Sequence, residues 1–180
     1  KEMFAVAYRT DFDLKNHMEK SRVDLRYTNP KTGEKLIPHV VEPTFGMDRA
    51  FLSVLCESYE QDKDRVVLKL PFALAPYKTA VFPLLANKPE LVKKAQEVFD
   101  GLKQDFTCAW DDRGNIGKRY YSQDEIGTPF CVTIDFDTLK KNNVTIRDRD
   151  TMAQIRTSIK SLPDTLRKLI SKEIALKQAE

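Results

Sequence analysis

The chain has 180 residues, of which 41% are hydrophobic and 32% charged, and its 30 Lys/Arg against 27 Asp/Glu leave a net charge of +3. Apolar residues recur along the whole length and blocks of like charge are short, which excludes global disorder; no apolar run approaches the roughly 18 residues of a membrane span, and no signal-peptide pattern opens the chain. Three well-separated cysteines (Cys56, Cys108, Cys131), none in a CxxC pair, and two histidines (His17, His39) speak against structural zinc. A soluble, intracellular protein with reduced, mostly buried cysteines is expected.

In chain order, Met3–Tyr8 reads as a strand with no turn before it, so the chain is expected to begin inside a folded unit, and the extended stretch covers residues 1–14. Asn29-Pro30-Lys31-Thr32-Gly33 is a turn between short strands at 22–27 and 35–42. Pro43-Thr44-Phe45-Gly46 ends the second strand, and Met47, Phe51, Val54, Leu55 and Ser58 fall on one side of a helix over 47–59. The polar run 60–65 reads as a linker. Beyond it come extended segments at 65–70 and 77–85. A helix opened by Pro89 follows, with the stripe Leu91, Val92, Ala95, Val98, Phe99 and Leu102. A strand at 106–110, a turn at 111–115, a helix at 116–126, and strands at 130–136 and 144–147 come next. Thr151 with Gln154 reads as a capping box for a helix carrying Met152, Ile155, Ile159 and Leu162 inward, and Pro163 opens a last helix to about Ala175.

Strands alternating with helices predict an α/β fold, a mixed sheet flanked by helices. Charge divides the chain as well: residues 1–62 carry nine Lys/Arg against eleven Asp/Glu, and residues 63–180 carry 21 against 16. An acidic unit at 1–62 and a basic unit at 63–180 are expected, the second being the one a polyanion would visit.

Several residue groups could carry chemistry. Glu42-Pro43-Thr44-Phe45-Gly46-Met47-Asp48-Arg49 is a strand end, a tight turn and a helix start, a place whose exposed N–H groups suit an anion. Arg49 is mildly unfavourable in a first helical turn, so it needs an anion, from Asp48 or Glu42 or from a ligand. Arg9, Asp11 and Asp13 share one face of an extended segment, which makes a zwitterion pocket, a metal site or a salt-bridge ladder. Asp135-Phe136-Asp137 reads as a strand running into a polar loop. In the basic half, Arg147 and Arg149 at a strand end are candidates for phosphate or base contacts, and Lys118, Arg119, Tyr120 and Tyr121 mix cations with aromatics as single-stranded nucleic acid favours. A helix with one tyrosine in the core fits that second spacing equally.

The segments RTDFDLKNH (9–17), PHVVEPTFGMDRAF (38–51), LAPYKTAVFPL (74–84), GNIGKRYYSQDEIGTPFCVTIDFDTL (114–139) and TIRDRDTMAQIR (145–156) follow the order and spacing of the C-terminal part of the class II, dimeric glycyl-tRNA synthetase family. EPTFGMDR resembles class II motif 3; motifs 1 and 2 have no counterpart in the chain. The resemblance implies that residues 1–62 are the closing antiparallel strands and motif 3 helix of a catalytic domain, and 63–180 a class II anticodon-binding domain. It implies a cytoplasmic, homodimeric glycine–tRNA ligase acting on glycine, ATP with Mg²⁺ and tRNA(Gly), the isolated segment being inactive.

Carried over by motif, Arg9 faces the glycine carboxylate and Glu42 its ammonium. Thr44 stands where the family usually has Ser, and Pro43, Phe45 and Gly46 shape the same pocket, Phe45 in a place often filled by a small residue. Gly46, Met47, Asp48 and Arg49 lie against ATP, with Arg49 as the catalytic arginine. Lys118, Arg119, Tyr120, Arg147 and Arg149 are expected at the anticodon. A synthetase-like module that binds tRNA without catalysis is the alternative.

Overall fold

In the computed structural model, which describes residues 3–176, the chain divides into two units, Lys1–Ser53 and Val54–Glu180. In the first, strand β1 (Phe4–Thr10) leads into helix α1 (Phe12–Ser21), the two-residue strands β2 (Tyr27–Thr28) and β3 (Lys35–Leu36) pair across the Asn29–Gly33 turn, and β4 (Val40–Phe45) returns antiparallel to β1. The first two residues of the expected 1–14 strand lie outside the described residues, and its last part is helical. Thr10 turns the backbone into the left-handed region at φ 55°, after which Lys15 pairs with Asp11, and Asp13 with Arg9, at i,i+4 spacing. The Asp11–Lys15 spacing is that of neighbours on a helix, which the alternating charges of this stretch conceal from a period-2 reading. The strand expected at 35–42 is likewise two pieces, the second running on through Phe45.

Helix α2 (Met47–Ser58) matches its expected extent and carries the division between the units. The polar run expected as a linker is instead the tip of a hairpin, β5 (Tyr59–Asp62) with β6 (Arg65–Leu68).

The remaining elements build one sheet. Strand β7 (Thr79–Pro83) is followed by α3 (Pro89–Leu102), β8 (Cys108–Trp110), α4 (Ile116–Ile126), β9 (Phe130–Ile134), α5 (Phe136–Lys141), β10 (Asn143–Asp148), β11 (Gln154–Ser158) and α6 (Leu162–Ile170). The strand order is β11-β10-β9-β7-β8, parallel where β7 meets β8 and β9, antiparallel from β9 to β11. The mixed α/β sheet expected from sequence is thus the observed fold.

Side-chain alternation gives the sheet two different faces. Val81, Phe130, Val132, Ile134, Val144 and Ile146 point to one side, where Leu91, Ala95, Val98 and Leu102 of α3 and Leu162, Leu166 and Leu169 of α6 close the main core. Ala80, Phe82 and Cys131 point to the other, under Ile116 and Tyr120 of α4. Because α4 covers only this second, smaller cluster, the face of β10 and β11 beside it stays open.

Two expected elements are replaced here. The capping-box helix at 151–162 is the turn into β11: Thr151 Oγ1 donates to Asp148 Oδ2 at 2.9 Å, and Val144↔Thr157 and Ile146↔Ile155 pair across the strands. Ile155 is buried by an alternating strand, not a helical stripe. Asp135-Phe136-Asp137 begins α5, with Asp135 and Thr138 forming a reciprocal capping box. The cysteines differ from expectation in one case: Cys131 is buried and Cys108 half-buried, while Cys56 is exposed. Burial pushes the Cys108 thiol up to about 11 and Cys131 further still, so both remain protonated.

Beneath α4 lies a charged network in place of apolar packing. Asp124 is fully buried and takes both guanidinium nitrogens of Arg147, at 2.9 and 3.0 Å, and Nη1 of Arg65 at 3.1 Å. Arg65 also reaches Asp62 at 2.8 Å and the Arg149 carbonyl at 2.8 Å. Arg149 in turn donates to the carbonyls of Gly127 and Leu70 and to Asp150. Gly127 closes α4 at φ 84°, and a β-carbon there would stand 2.9 Å from the Leu68 carbonyl oxygen, so only glycine fits. Asp124→Ala leaves two buried guanidinium groups short of their shared anion; chemical denaturation is expected to show a loss of about 3–5 kcal/mol, and a loss below 1 kcal/mol contradicts this account.

Candidate functional sites

The first site lies on the β1–β4 ladder. Its register sets Ala5 opposite Thr44 and Ala7 opposite Glu42, and these four share one face. With Met3, Phe4, Gly46 and Arg49 they line a cavity of about 350 Å³. The alanines leave room above the strand. Gly46 lets the chain fold back, its N–H donating to the Met3 carbonyl at 2.7 Å, and a β-carbon there would crowd that oxygen at 3.1 Å.

Alternation separates the residues expected to act together. Val6 pairs with Pro43 on the opposite side, and Phe4, at the cavity's edge, pairs with Phe45, the two rings meeting edge-on at 5.6 Å. Glu42, Thr44, Gly46 and Arg49 therefore line the cavity; Pro43, Phe45, Met47 and Asp48 do not. Arg9 sits at the one irregularity of the ladder, between Tyr8 and Thr10. Its Nε lies 2.5 Å from Asp13 and 3.1 Å from Glu42. The hydrogen bond from Arg9 holds the Asp13 carboxyl below the usual carboxylate range, and the same bond raises the guanidinium pKa. Asp11 is not part of this face, since it pairs with Lys15 at the start of α1. Chemically, Arg9 and Glu42 form an ion pair that the two ends of a small zwitterion could exchange for pairing with itself, while Thr44 offers a hydroxyl, 3.4 Å from Glu42 Oε1, beside it.

The second site is the open face of the sheet next to α4, a cleft of about 710 Å³. In-register pairing places Thr133, Thr145 and Arg156 in one row across β9, β10 and β11. Leu84, Ile116, Tyr120, Asp135, Gln154 and Ile155 complete the lining. Arg156 is fixed by Asp135 at the start of α5 and by Asn143 Oδ1 at 2.9 Å. Burial opposes the charge of Asp135, but hydrogen bonds from Arg156 and Thr138 outweigh it and keep the carboxyl below its usual range. The Tyr120 hydroxyl meets Thr133 Oγ1 at 2.6 Å, and burial chiefly keeps that phenol protonated.

Of the residues expected at this site, Lys118 is exposed and Tyr120 lines the cleft. Arg119 is 1% exposed and donates to the carbonyls of Pro83, Asp112, Arg113 and Gly114, thereby holding the loop before α4. Arg147 and Arg149 are 4% and 2% exposed and bound in the Asp124 network. These three arginines are corrected to framework positions, because their donors already serve buried acceptors. Sequence reasoning misses Thr133, Thr145 and Arg156, reads Asp135 only as the end of a strand and reads Gln154 only as a capping residue. The alternation Val144-Thr145-Ile146-Arg147 carried the signal for a strand with one polar face, but a partner strand at 154–158 was needed to extend it into a floor.

Asp135 also makes a pH prediction. Its folded pKa lies below the unfolded value of about 3.9, so its contribution to stability is present above that value and is lost as pH falls through the folded one. Thermal melts below about pH 4 are expected to show a smaller acid-induced drop for Asp135→Asn than for the unaltered protein; equal drops contradict this.

Comparison with known proteins adds a family and relatives. The anticodon binding domain family matches residues 78–169. The chain is 49% identical over 173 residues to a glycine–tRNA ligase of Bacillus cereus, a match covering 94% of this chain and 37% of the relative. It is 48% identical over 166 residues to that of Ruminiclostridium cellulolyticum (89% and 35%) and 50% identical over 162 residues to that of Caldanaerobacter subterraneus (88% and 34%). The chain thus spans little more than a third of the length of these relatives. Among the described residues no helix is long and apolar enough to cross a membrane.

Proposed function

We propose, for a chain that belongs to the anticodon-binding domain family, that it is the C-terminal part of a cytoplasmic, homodimeric glycine–tRNA ligase. In this reading residues 63–180 grip tRNA(Gly), and residues 1–62 supply part of the pocket for glycine and ATP. The observation that carries the reading is the coincidence of the family match at 78–169 with an open polar cleft lined between Leu84 and Arg156.

Unpaired bases are read by stacking and by hydrogen bonds to their edges, and phosphates by mobile surface cations. The cleft offers the first through the threonine row, Gln154, Arg156 and Tyr120. Exposed cations in and just before the first turn of α4 offer the second: Lys118, and Arg113, whose side chain is 88% exposed although its Nε reaches Asp111 at 3.2 Å. Arg119 serves indirectly, by holding the backbone from which both project.

At the other site, glycine has no side chain to grasp, so selection rests on its two charged ends and on the absence of room for a β-carbon substituent. Glu42 would take the ammonium and Arg9 the carboxylate, with Thr44 beside the α-carbon. The carboxylate oxygen would attack the α-phosphorus of ATP, expelling pyrophosphate, and Arg49 would balance charge gathering on the phosphate oxygens. The glycyl group would then pass to the tRNA 3′ end. Among the described residues no three His, Cys, Asp or Glu side chains come together to hold a metal, so no step is assigned to Mg²⁺ on residues of this chain.

Two measurements test the reading. Titration of the chain with tRNA(Gly) should show affinity falling linearly, on logarithmic scales, with salt; Lys118→Ala should lower that slope by about one contact, while Gln154→Ala should weaken base preference and leave the slope unchanged. Salt-independent binding overturns the cleft assignment. In the intact ligase, Glu42→Ala should cut glycine-dependent ATP–pyrophosphate exchange by about tenfold or more with tRNA affinity unaltered; unaltered exchange removes Glu42 from the glycine pocket.

A further inference from the structure

We infer that Arg147 is a positioning residue of the cleft, acting through Tyr120 to fix the polar floor on which a nucleobase edge would be read. The inference rests on the cleft being the base-binding site. Arg147 is 4% exposed and does not line the cleft, so it cannot touch a bound base itself. Tyr120 and Asp124 stand four residues apart on one side of α4, and Arg147 rises from β10 between them. The edge of its guanidinium is held by both Asp124 oxygens, at 2.9 and 3.0 Å. Its guanidinium carbon lies over the Tyr120 ring, 4.7 Å from the centroid.

Phe82 meets the same ring edge-on at 5.8 Å, so the phenol is confined by two neighbours as well as by its own bond to Thr133. That bond ends the row Thr133–Thr145–Arg156. A tyrosine free to turn about χ1 would break the row at its first member. With Arg147 in place the hydroxyl is presented in one position, which lowers the ordering cost of pairing it with a base. The same geometry explains an arginine here and not a lysine, since only a guanidinium can give two donors to one carboxylate while its central carbon sits over a ring.

The test compares an anticodon stem–loop RNA of a glycine tRNA with the same RNA carrying substituted anticodon bases, bound to the full chain. The unaltered protein is expected to prefer the first by about tenfold or more. Arg147→Lys should narrow the ratio to within about threefold without changing the salt slope. Tyr120→Phe should narrow it similarly, and the double variant no further than either single one, because the two act in series. Wild-type discrimination in Arg147→Lys, or losses that add in the double variant, overturn the inference. If Arg147→Lys does not fold, Tyr120→Phe and Thr133→Val, which leave the Asp124–Arg147 pair intact, decide the matter, and wild-type ratios in both overturn it. A wild-type protein that does not distinguish the two RNAs overturns the cleft reading and this inference together; one that does, with variants that do so equally, removes only the role of Arg147.

Discussion

The sheet unit depends on one buried carboxylate. Asp124 has no exposure, and withdrawing an anion from water is tolerable only when its hydrogen-bonding capacity is filled by cations in good geometry. Arg147 from β10 and Arg65 from β6 fill it, so a helix, an inner strand and a hairpin distant in sequence are tied at one point. Arg149 extends the tie through the carbonyls that end α4 and β6. Arg65, Arg147 and Arg149 are matched by Asp62, Asp124 and Asp150, leaving the cluster without net charge. Such a network adds less stability than apolar packing of equal volume, but it fixes direction, because a guanidinium plane bonds along set lines.

That directional order is what the cleft requires. Its floor is a row of side chains whose spacing comes from strand register and whose edges are held from α4 and α5. Arg156 is anchored by the capping residue of α5, and Tyr120 by the buried arginine beneath it. The loop leading into α4 is held by Arg119 through three of its backbone carbonyls and tied to that of Pro83 at the end of β7. In contrast, the Arg9–Glu42–Asp13 group in the first unit is solvent-accessible, with Arg9 and Glu42 side chains 39% and 46% exposed. Its charges are screened by water, and it has the adjustable character expected of groups that exchange a mutual pair for a ligand.

The proposed activity joins these two kinds of site. Glycine offers only charged ends, which paired charges over small residues would suit. An anticodon offers stacked planes and polar edges, which a fixed polar floor with exposed cations at the rim would suit.

Local signals determined much of the architecture. Pro89 with a 3.6-residue apolar stripe specified α3, the apolar run at 130–134 specified β9, and Asn-Pro-Lys-Thr-Gly marked its turn. Tertiary structure decided the rest. Residues 154–158 become a strand because β10 offers a free edge, which outweighs a helical spacing of Met152, Ile155 and Ile159. Residues 60–65 become a hairpin because Arg65 finds Asp124, 59 residues away. Arginines that look like nucleic-acid contacts in sequence are buried for the same reason: charge in a sequence does not reveal whether its partner is a phosphate in solution or a carboxylate in the core, and only the fold brings that partner within 3 Å.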